Sequence, residues 1–303
     1  MTISPEFSAP ITTRRVRSLF ARPDKVEGSA YLHQEISARM LDRLQLVKLS
    51  PERVLDAGCG VGAALGQLQT LYPAAQIVGV DAAEAMAGVA NGPASARGPL
   101  NRMLSRLMPA KGGVQVLCGD FGNLPLAPTC VDMVWSNLAL HWHPQPDLVL
   151  TEWRRVLRNE GLLMFSSFGP DTLRELRSAF AVLDDAPHVL PFVDMHDFGD
   201  QLAAAGFSTP VMDMEVITVT FDTVAALLAD ARALGGNPLD TRRRGLIGRR
   251  AWQKVVDALE AQRNADGKLT LTFEVIYGHA FRPAPKVTAA GEAIVRFMPR
   301  KGG

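Results

Sequence analysis

A glycine-rich turn between a short apolar run and a helical pattern is the feature that most constrains this chain. Residues 53–56 form the run, and Gly58, Gly60 and Gly62 follow it at alternate positions. An apolar run that feeds such a turn is typical of a buried parallel strand beside a nucleotide-type crevice. The glycines allow positive φ and let the backbone approach a ligand closely. The sequence therefore predicts a ligand site at this turn.

The alternation of strand and helix continues along the chain and ends in an antiparallel closure. Strands that alternate with helices imply parallel βαβ units, and the turn Asp266–Gly267 precedes a long alternating strand. We expect strands at residues 53–56, 76–81, 114–117, 131–136, 162–168, 214–221 and 269–281. We expect helices at residues 28–49, 83–90, 147–157, 171–183, 194–205, 223–234 and 247–263.

Composition excludes several classes of protein. The 303 residues carry a net charge of +1, which argues against general nucleic-acid binding. The longest apolar runs fall short of the ~18 residues that a membrane helix needs, and Met1 to Phe20 has no apolar signal core. Cys59, Cys118 and Cys130 form no CxxC pair. We therefore expect a reducing, cytoplasmic compartment, with no membrane segment, disulfide or metal site.

Carboxylates follow three successive predicted strands. Asp56 ends the first strand, Asp81 ends the second, and Asp120 follows the third. A carboxylate at the glycine turn would repel a phosphate, and the GxGxG spacing departs from the GxGxxG dinucleotide fingerprint. Asp81 is placed to accept hydrogen bonds from ribose hydroxyls, and Asp120 with Phe121 can receive an adenine. S-adenosylmethionine, which has an amino group and no phosphate, fits this pattern.

The same segments resemble the class I S-adenosylmethionine-dependent methyltransferases over about residues 50–170. The similar motifs are VLDAGCGVG (54–62), GVDAAEAM (79–86), GDFGNLPL (119–126), VDMVWSNLALHW (131–142) and WRRVLRNEGLLMFSSF (153–168). The resemblance implies an α/β fold, a Rossmann-like seven-stranded sheet with helices on both faces, and S-adenosylmethionine as cofactor. The contacts that it implies are Asp56, Gly58 and Gly60 for the methionine part, Asp81 for the ribose, Met86, Asp120 and Phe121 for the adenine, and Asn137 beside the sulfonium.

We divide the chain into five segments on this basis. They are an N-terminal helical cap at 1–50, the cofactor-binding core at 51–221 with a surface insertion at about 91–113, a helical insertion at 222–265 that serves as a lid or docking element, the final strand at 266–281, and a tail at 282–303.

The segments outside the common motifs bear on the methyl acceptor. SNLALHW (136–142), FGPDTLRELRSAF (168–180) and the C-terminal hairpin with its helical insert resemble the malonyl-acyl-carrier-protein O-methyltransferases of biotin synthesis. This resemblance implies methyl transfer to the free carboxylate of a malonyl thioester, carried by an acidic acyl-carrier protein or by coenzyme A. One departure is that Glu27 stands where a tyrosine is common, with Tyr31 nearby as a substitute.

A second group with the same fold fits several segments as well. Residues 30–44, 188–207 and 263–281 are similar to the mitochondrial complex I assembly arginine hydroxylase. An iron-dependent hydroxylase needs a triad of two histidines and one carboxylate, whereas His141 and His143 alone make a poor metal site. We favour the carboxyl methyltransferase. The alternatives are the hydroxylase or assembly factor and another small-molecule methyltransferase.

Arginines are the candidates for recognition of the anionic substrate. A malonyl carboxylate is ionised at neutral pH and needs no general base, so catalysis reduces to orientation. A bidentate arginine suits the carboxylate, and the candidates are Arg155, Arg174 and Arg177. The arginines of TRRRGLIGRR either dock the acidic carrier or form a solvated turn. They are Arg242, Arg243, Arg244, Arg249 and Arg250.

Overall fold

A computed structural model describes residues 10–92 and 113–285 of the chain. In these residues the strands form one seven-stranded sheet with the order β3-β2-β1-β4-β5-β7-β6. The strands are β1 (Arg53–Ala57), β2 (Gln76–Asp81), β3 (Gly113–Cys118), β4 (Val131–Ser136), β5 (Leu157–Phe168), β6 (Ser208–Phe221) and β7 (Leu269–Phe281). The predicted insertion at about 91–113 and the tail at 282–303 lie mostly outside the described residues.

Helices cover both faces of this sheet, and two short ones precede the first long helix. They are α1 (Thr13–Leu19), α2 (Pro23–Val26), α3 (Ala30–Gln45), α4 (Ala63–Leu71), α5 (Glu84–Ala90), α6 (Pro146–Val156), α7 (Arg174–Phe180), α8 (Met195–Ala204), α9 (Val224–Ala233) and α10 (Arg249–Glu260). None of the helices in the described ranges combines the length and the apolar character needed to cross a bilayer.

The strand directions confirm the predicted α/β fold. The first five strands pair in parallel, whereas β7 runs antiparallel to both β5 and β6. The chain order reverses between β1 and β4, which are hydrogen-bonded neighbours. In open α/β sheets a crevice opens at such a reversal, beyond the carboxyl ends of the strands. Asp56 and Asp81 both lie at this edge of the sheet.

Two apolar layers hold the sheet between its helices. Alternate residues of β4 point to opposite faces, so that Met133 and Trp135 enter one layer and Val134 enters the other. On the second face α6 buries Val149, Leu150, Trp153 and Val156 completely, along one helical stripe. Burial of each aliphatic side chain of this kind contributes about 1.5–3 kcal/mol.

Two strands begin earlier than their sequence predicts. The predicted strands at 162–168 and 214–221 start at Leu157 and Ser208. The added residues of β6 pair with the end of β7 across a register shift between Ser208 and Val211, where Thr209 has a φ of 47°. Pro210 lies within β6, which is tolerated because β6 is an edge strand. These pairings join distant segments and leave no local sequence pattern.

The N-terminal segment is held against the loop that follows α9. Ile11 forms an isolated antiparallel bridge with Leu239, and the amide of Asp240 donates to the carbonyl oxygen of Pro10 at 2.9 Å. The hydroxyl of Thr12 caps α1 by accepting from the third amide along the chain at 3.3 Å. These contacts fix α1 beside the carboxyl edge of the sheet.

An aromatic contact joins α1 to the loop after β4. The rings of Phe20 and Trp142 meet edge to face with centroids 5.0 Å apart. Gly235 packs against both rings, and a Cβ placed there would lie 2.9 Å from each of them. A side chain at this position would therefore separate α1 from Trp142.

Candidate active site

A cavity of about 450 Å³ lies at the carboxyl ends of β1, β2 and β4, beneath α1 and α2. It brings together all the residues that the sequence predicts for cofactor binding, from four separate motifs. They are Asp56, Gly58, Gly60, Asp81, Met86, Asp120, Phe121 and Asn137.

Asp56 is a buried carboxylate with an unused acceptor. Its side chain is 2% exposed, and its Oδ2 atom has no hydrogen-bond partner among the described residues. Burial, with a smaller contribution from the nearby Asp81 carboxylate, raises the pKa of Asp56 to about 8. A buried acceptor without a partner is costly. Asp56 is therefore suited to a cationic donor inside the cavity.

Asp81 is oriented by two backbone donors. The amide of Gly60 donates to its Oδ2 atom at 2.9 Å, and the amide of Ala83 donates to its Oδ1 atom at 2.8 Å. Burial raises the pKa of Asp81, and these two hydrogen bonds act in the opposite direction. Each carboxylate oxygen can accept a further hydrogen bond. Asp81 therefore presents two fixed acceptors to the cavity.

The glycine turn follows the cavity wall closely. Gly58 has a φ of 81°, and a Cβ there would lie 2.2 Å from the Cβ of Ala139. Gly60 has a φ of 53° but faces open space, with nothing within 4 Å of such a Cβ. The amide of Gly58 donates to the carbonyl oxygen of Val80 at 2.8 Å. Sterics therefore require glycine at position 58, and backbone conformation favours it at position 60.

Asp120 and Phe121 are placed by the loop after β3. Oδ1 of Asp120 accepts the amide of Gly122 at 2.8 Å and lies 3.7 Å from Nε2 of His143. The indole of Trp153 donates to the carbonyl oxygen of Phe121 at 3.0 Å. Burial lowers the pKa of His143, which keeps this ring neutral at neutral pH. His143 also lines the cavity.

Asn137 is held at both ends of its amide. Its Nδ2 atom donates to the carbonyl oxygen of His33 at 2.9 Å, and its Oδ1 atom accepts the hydroxyl of Ser166 at 2.8 Å. The same hydroxyl accepts the amide of Leu138 at 3.0 Å. Leu138 has a φ of 52°, an uncommon conformation for leucine. Asn137 therefore forms a rigid part of the cavity wall.

Two helices of the N-terminal cap, α1 and α3, contribute residues to the cavity that the sequence motifs do not predict. The lining residues are Thr13, Val16 and Arg17 of α1, Phe20 at its C-terminal cap, and Ala30, His33 and Gln34 of α3. In α1 they fall at positions i, i+3, i+4 and i+7, which is one face of a helix. That spacing was the available signal, but a seven-residue helix is too short for a clear apolar pattern. Only the packing of α1 over the sheet shows that this face lines the cavity.

Glu27, which stands where a tyrosine is common, and the nearby Tyr31 differ in their position relative to the cavity. Glu27 lines the cavity. Tyr31 does not, since it lies on the outside of α3 and its hydroxyl donates to Oδ2 of Asp230 at 2.9 Å. Tyr31 therefore ties the N-terminal cap to α9.

The three arginines predicted to bind a substrate carboxylate do not line the cavity. Arg155 lies at the end of α6, just before β5 and so at the opposite edge of the sheet. Its guanidinium forms two 2.6 Å hydrogen bonds with Glu152 and also donates to the carbonyl oxygen of Leu126 at 2.9 Å. Arg155 therefore attaches the loop that contains Leu126 to α6 at that edge of the sheet.

Arg174 and Arg177 belong to the short helix α7. Arg177 donates to the carbonyl oxygens of Pro170 and Thr172 at 2.9 and 3.2 Å. Arg174 lies 3.4 Å from a carboxylate oxygen of Asp171 on an exposed surface. Both side chains stabilise the turn that precedes their own helix, which explains their separation from the cavity.

The basic segment at 241–250 forms an exposed loop and the start of α10. Arg242 donates to the carbonyl oxygen of Leu239 at 2.8 Å, and Arg243 forms a 2.5 Å ion pair with Asp184. Leu246 at its tip is 98% exposed. The remaining cations of the segment are exposed and have no ion pair within the described part of the chain. They are Arg244, Arg249 and Arg250.

His141 and His143 occupy separate environments. His141 is buried, with its ring 5.0 Å from that of Phe168 and 5.5 Å from that of Phe192. Burial lowers its pKa to about 3. In residues 10–92 and 113–285 no three histidine, cysteine or carboxylate side chains gather in a way that could hold a metal ion.

The fold and the cavity define a methyltransferase domain, and the family model described as "Methyltransferase domain" matches residues 55–165. The chain belongs to the family of malonyl-[acyl-carrier protein] O-methyltransferases. A relative of that name from Laribacter hongkongensis is 47% identical over 290 residues, which cover 94% of this chain and 95% of the relative. Another from Gallionella capsiferriformans is 44% identical, covering 94% of this chain and 96% of the relative.

A solved structure shares the fold at low sequence identity. The YcgJ protein from Bacillus subtilis aligns with a TM-score of 0.55 and 15% identity, over 81% of this chain and 98% of that chain. The predicted class I methyltransferase fold and the resemblance to the malonyl-acyl-carrier-protein O-methyltransferases are thus confirmed.

Proposed function

We propose that this chain transfers the methyl group of S-adenosylmethionine to the free carboxylate of a malonyl thioester on an acyl-carrier protein. The observation that carries the proposal is the 47% identity, over 94% of the chain, to a protein named for that activity. The product is a malonyl methyl ester, in which the terminal charge is removed. Such an ester looks like an ordinary acyl chain to elongation enzymes and serves as the primer for the pimeloyl part of biotin.

The residues of the cavity fit S-adenosylmethionine. The unused Oδ2 atom of Asp56 is the acceptor that an α-ammonium group needs. The two oxygens of Asp81 would receive the ribose hydroxyls, and Asp120 and Phe121 would hold the adenine amino group and the base. When bound, the cofactor supplies an electrophilic methyl group on a sulfonium centre.

The chain has to orient the acceptor and exclude water, because an ionised carboxylate is already a nucleophile. Asn137 is fixed by His33 and Ser166 and forms the wall beside the reacting atoms. The contact between Phe20 and Trp142 closes the cavity wall between α1 and the loop that holds Asn137, which helps to exclude water. No residue is required to remove a proton in this reaction.

The basic segment at 241–250 is the part of the chain that docks the carrier. Its free cations, Arg244, Arg249 and Arg250, suit an acidic partner. Arg242 and Arg243 hold the loop in place through Leu239 and Asp184. We place the reaction in the cytoplasm, where the three free cysteines remain reduced.

Mass spectrometry of the carrier tests this function. The purified chain is incubated with S-adenosylmethionine and either malonyl-carrier or acetyl-carrier protein. We expect a gain of one methyl group on the malonyl carrier alone, because the acetyl group has no free carboxylate. Equal labelling of both carriers, or no labelling of either, would contradict the proposal.

A further inference from the structure

The charge lining the cavity is strongly unbalanced. Carboxylates line it from the N-terminal cap and from all three motifs at the ends of the strands. They are Asp24, Glu27, Asp81 and Asp120, together with Asp56, which is mostly protonated at pH 7 until an ammonium ligand binds. Within the described residues, Arg17 is the only lysine or arginine on the cavity wall. A bound cofactor would offset part of this negative charge with its ammonium and sulfonium groups, but a cationic side chain is still needed on the protein side to hold an anionic acceptor.

The two histidines of the cavity do not provide that cation. Burial lowers the pKa of His33 to about 4, and burial also lowers the pKa of His143. Both rings are therefore neutral at neutral pH. Arg22 is close in sequence, but it lies 3.6 Å from Asp24 and does not line the cavity.

Arg17 lies where it can reach an acceptor. It is flanked on the cavity-facing side of α1 by Val16 and, one turn later, by Phe20. Phe20 contacts Trp142, which belongs to the same loop as Asn137. The face of α1 that carries Arg17 thus lines the same cavity as Asn137 and packs, through Phe20, against the loop to which Asn137 belongs.

The guanidinium of Arg17 is available for a ligand. Its side chain is exposed, and it makes no hydrogen bond or ion pair with any other described residue. By contrast, the arginines first expected to bind the carboxylate are engaged with Glu152 or with the turn before α7. An arginine on a cavity wall without a protein partner is well suited to a carboxylate or a phosphate.

Resting on the proposed function, we infer that Arg17 recognises the free carboxylate of the malonyl acceptor through paired N–H donors. A carboxylate has about four lone-pair positions, so a bidentate arginine leaves two of them free, and either can be directed at the methyl group. The same contact distinguishes malonyl from acetyl thioesters, since only the malonyl group has a free carboxylate. Arg17 is thus a substrate-binding residue that determines specificity.

Kinetics of three variants test this assignment. Arg17→Gln should raise the KM for malonyl-carrier protein roughly 10- to 100-fold, and Arg17→Lys, which keeps the charge but loses the planar fork, should give an intermediate value. The affinity for S-adenosylmethionine should not change. Arg14→Gln is the matched control, because Arg14 is exposed on the same helix but does not line the cavity.

A probe without a phosphate group shows whether Arg17 binds the substrate carboxylate or the phosphate of the carrier's pantetheine arm. Malonyl-N-acetylcysteamine thioester and its neutral methyl ester are each measured as inhibitors of the reaction with malonyl-carrier protein. In Arg17→Gln the inhibition constant should rise roughly tenfold or more for the malonyl compound and stay the same for its methyl ester.

Two other results would overturn the inference. An unchanged inhibition constant for the malonyl compound, together with a raised KM for the carrier, would assign Arg17 to the phosphate. Full activity of Arg17→Gln would remove it from substrate binding. An inactive wild-type chain would instead be a failure of the proposed function, which separates the two claims.

Discussion

The backbone amide of Gly60 donates a 2.9 Å hydrogen bond to Oδ2 of Asp81. This bond joins the glycine turn after β1 to the end of β2 and orients the Asp81 carboxylate toward the cavity. The turn and the carboxylate therefore act as one unit, in which the backbone of one motif positions the side chain of the next.

Asp81→Asn should weaken S-adenosylmethionine binding by roughly 10-fold or more, because a charged acceptor contributes about 1.5–3 kcal/mol. Asparagine keeps one acceptor for the turn but replaces the other with a donor. Isothermal titration calorimetry measures the affinity. Asp257→Asn on α10, whose carboxylate accepts from Gln253 on the surface, is the control and should bind normally. Wild-type affinity in Asp81→Asn would remove this residue from the site.

Cofactor binding should become tighter as pH rises from about 6 to 7.5, and Asp56 is the cause. With a pKa of about 8 the carboxyl is mostly protonated at pH 7, whereas an ammonium ligand requires the ionised form. Binding therefore releases a proton, and the affinity rises by at most about tenfold per pH unit. Calorimetric titrations in buffers of different ionisation enthalpy measure the number of protons that binding releases. Asp56→Asn should lose both the proton release and the slope; a slope that persists would assign the titration to another group.

Gly58→Ala should destabilise the chain and abolish cofactor binding. The new Cβ would lie 2.2 Å from that of Ala139 at a φ of 81°, and strain of this kind costs about 1–3 kcal/mol. Gly66→Ala in α4 is the matched control, because nothing lies within 4 Å and the backbone is helical. That change should stabilise by about 0.5–1 kcal/mol. Denaturant unfolding compares the two, and equal free energies of unfolding would contradict the packing described for the turn.

Charge reversal at Arg244, Arg249 and Arg250 should lower kcat/KM for malonyl-carrier protein by roughly tenfold at low salt, with the difference fading as ionic strength rises. The inhibition constant of malonyl-N-acetylcysteamine should stay the same, since this small molecule bypasses the docking surface. Steady-state kinetics at several salt concentrations give both values. Equal kinetics of the variant and the wild type with the carrier would exclude this segment as the docking site.

Local patterns account for the part of the site that follows the strands. Asp56, Asp81 and Asp120 were predicted to meet because parallel strands end at one edge of a sheet, and all three line the cavity. The early start of β6 and the placement of α1 depend on pairings between distant segments, such as Ile11 with Leu239. Sequence spacing carries no trace of those contacts.

The candidate arginines also differ in how far their positions follow from the sequence. Arg155 lies at the end of a helix that leads directly into a parallel strand, so the order of the elements already places it at the edge opposite the cavity. Arg17 precedes every motif, so only the docking of α1 brings it to the cavity. Residue type predicts that an arginine suits an acceptor carboxylate, whereas only the tertiary fold shows that Arg17 is the arginine that lines the cavity.

The position of the transferred methyl group tests the central claim most directly. Malonyl-carrier protein is treated with the purified chain and S-adenosylmethionine that carries a deuterated methyl group, and the pantetheine arm is analysed by tandem mass spectrometry before and after ester hydrolysis. We predict that the label lies on the terminal carboxylate oxygen and is lost on hydrolysis. A label that survives hydrolysis on the malonyl carbon, or a label on the protein moiety of the carrier, would contradict carboxyl methylation.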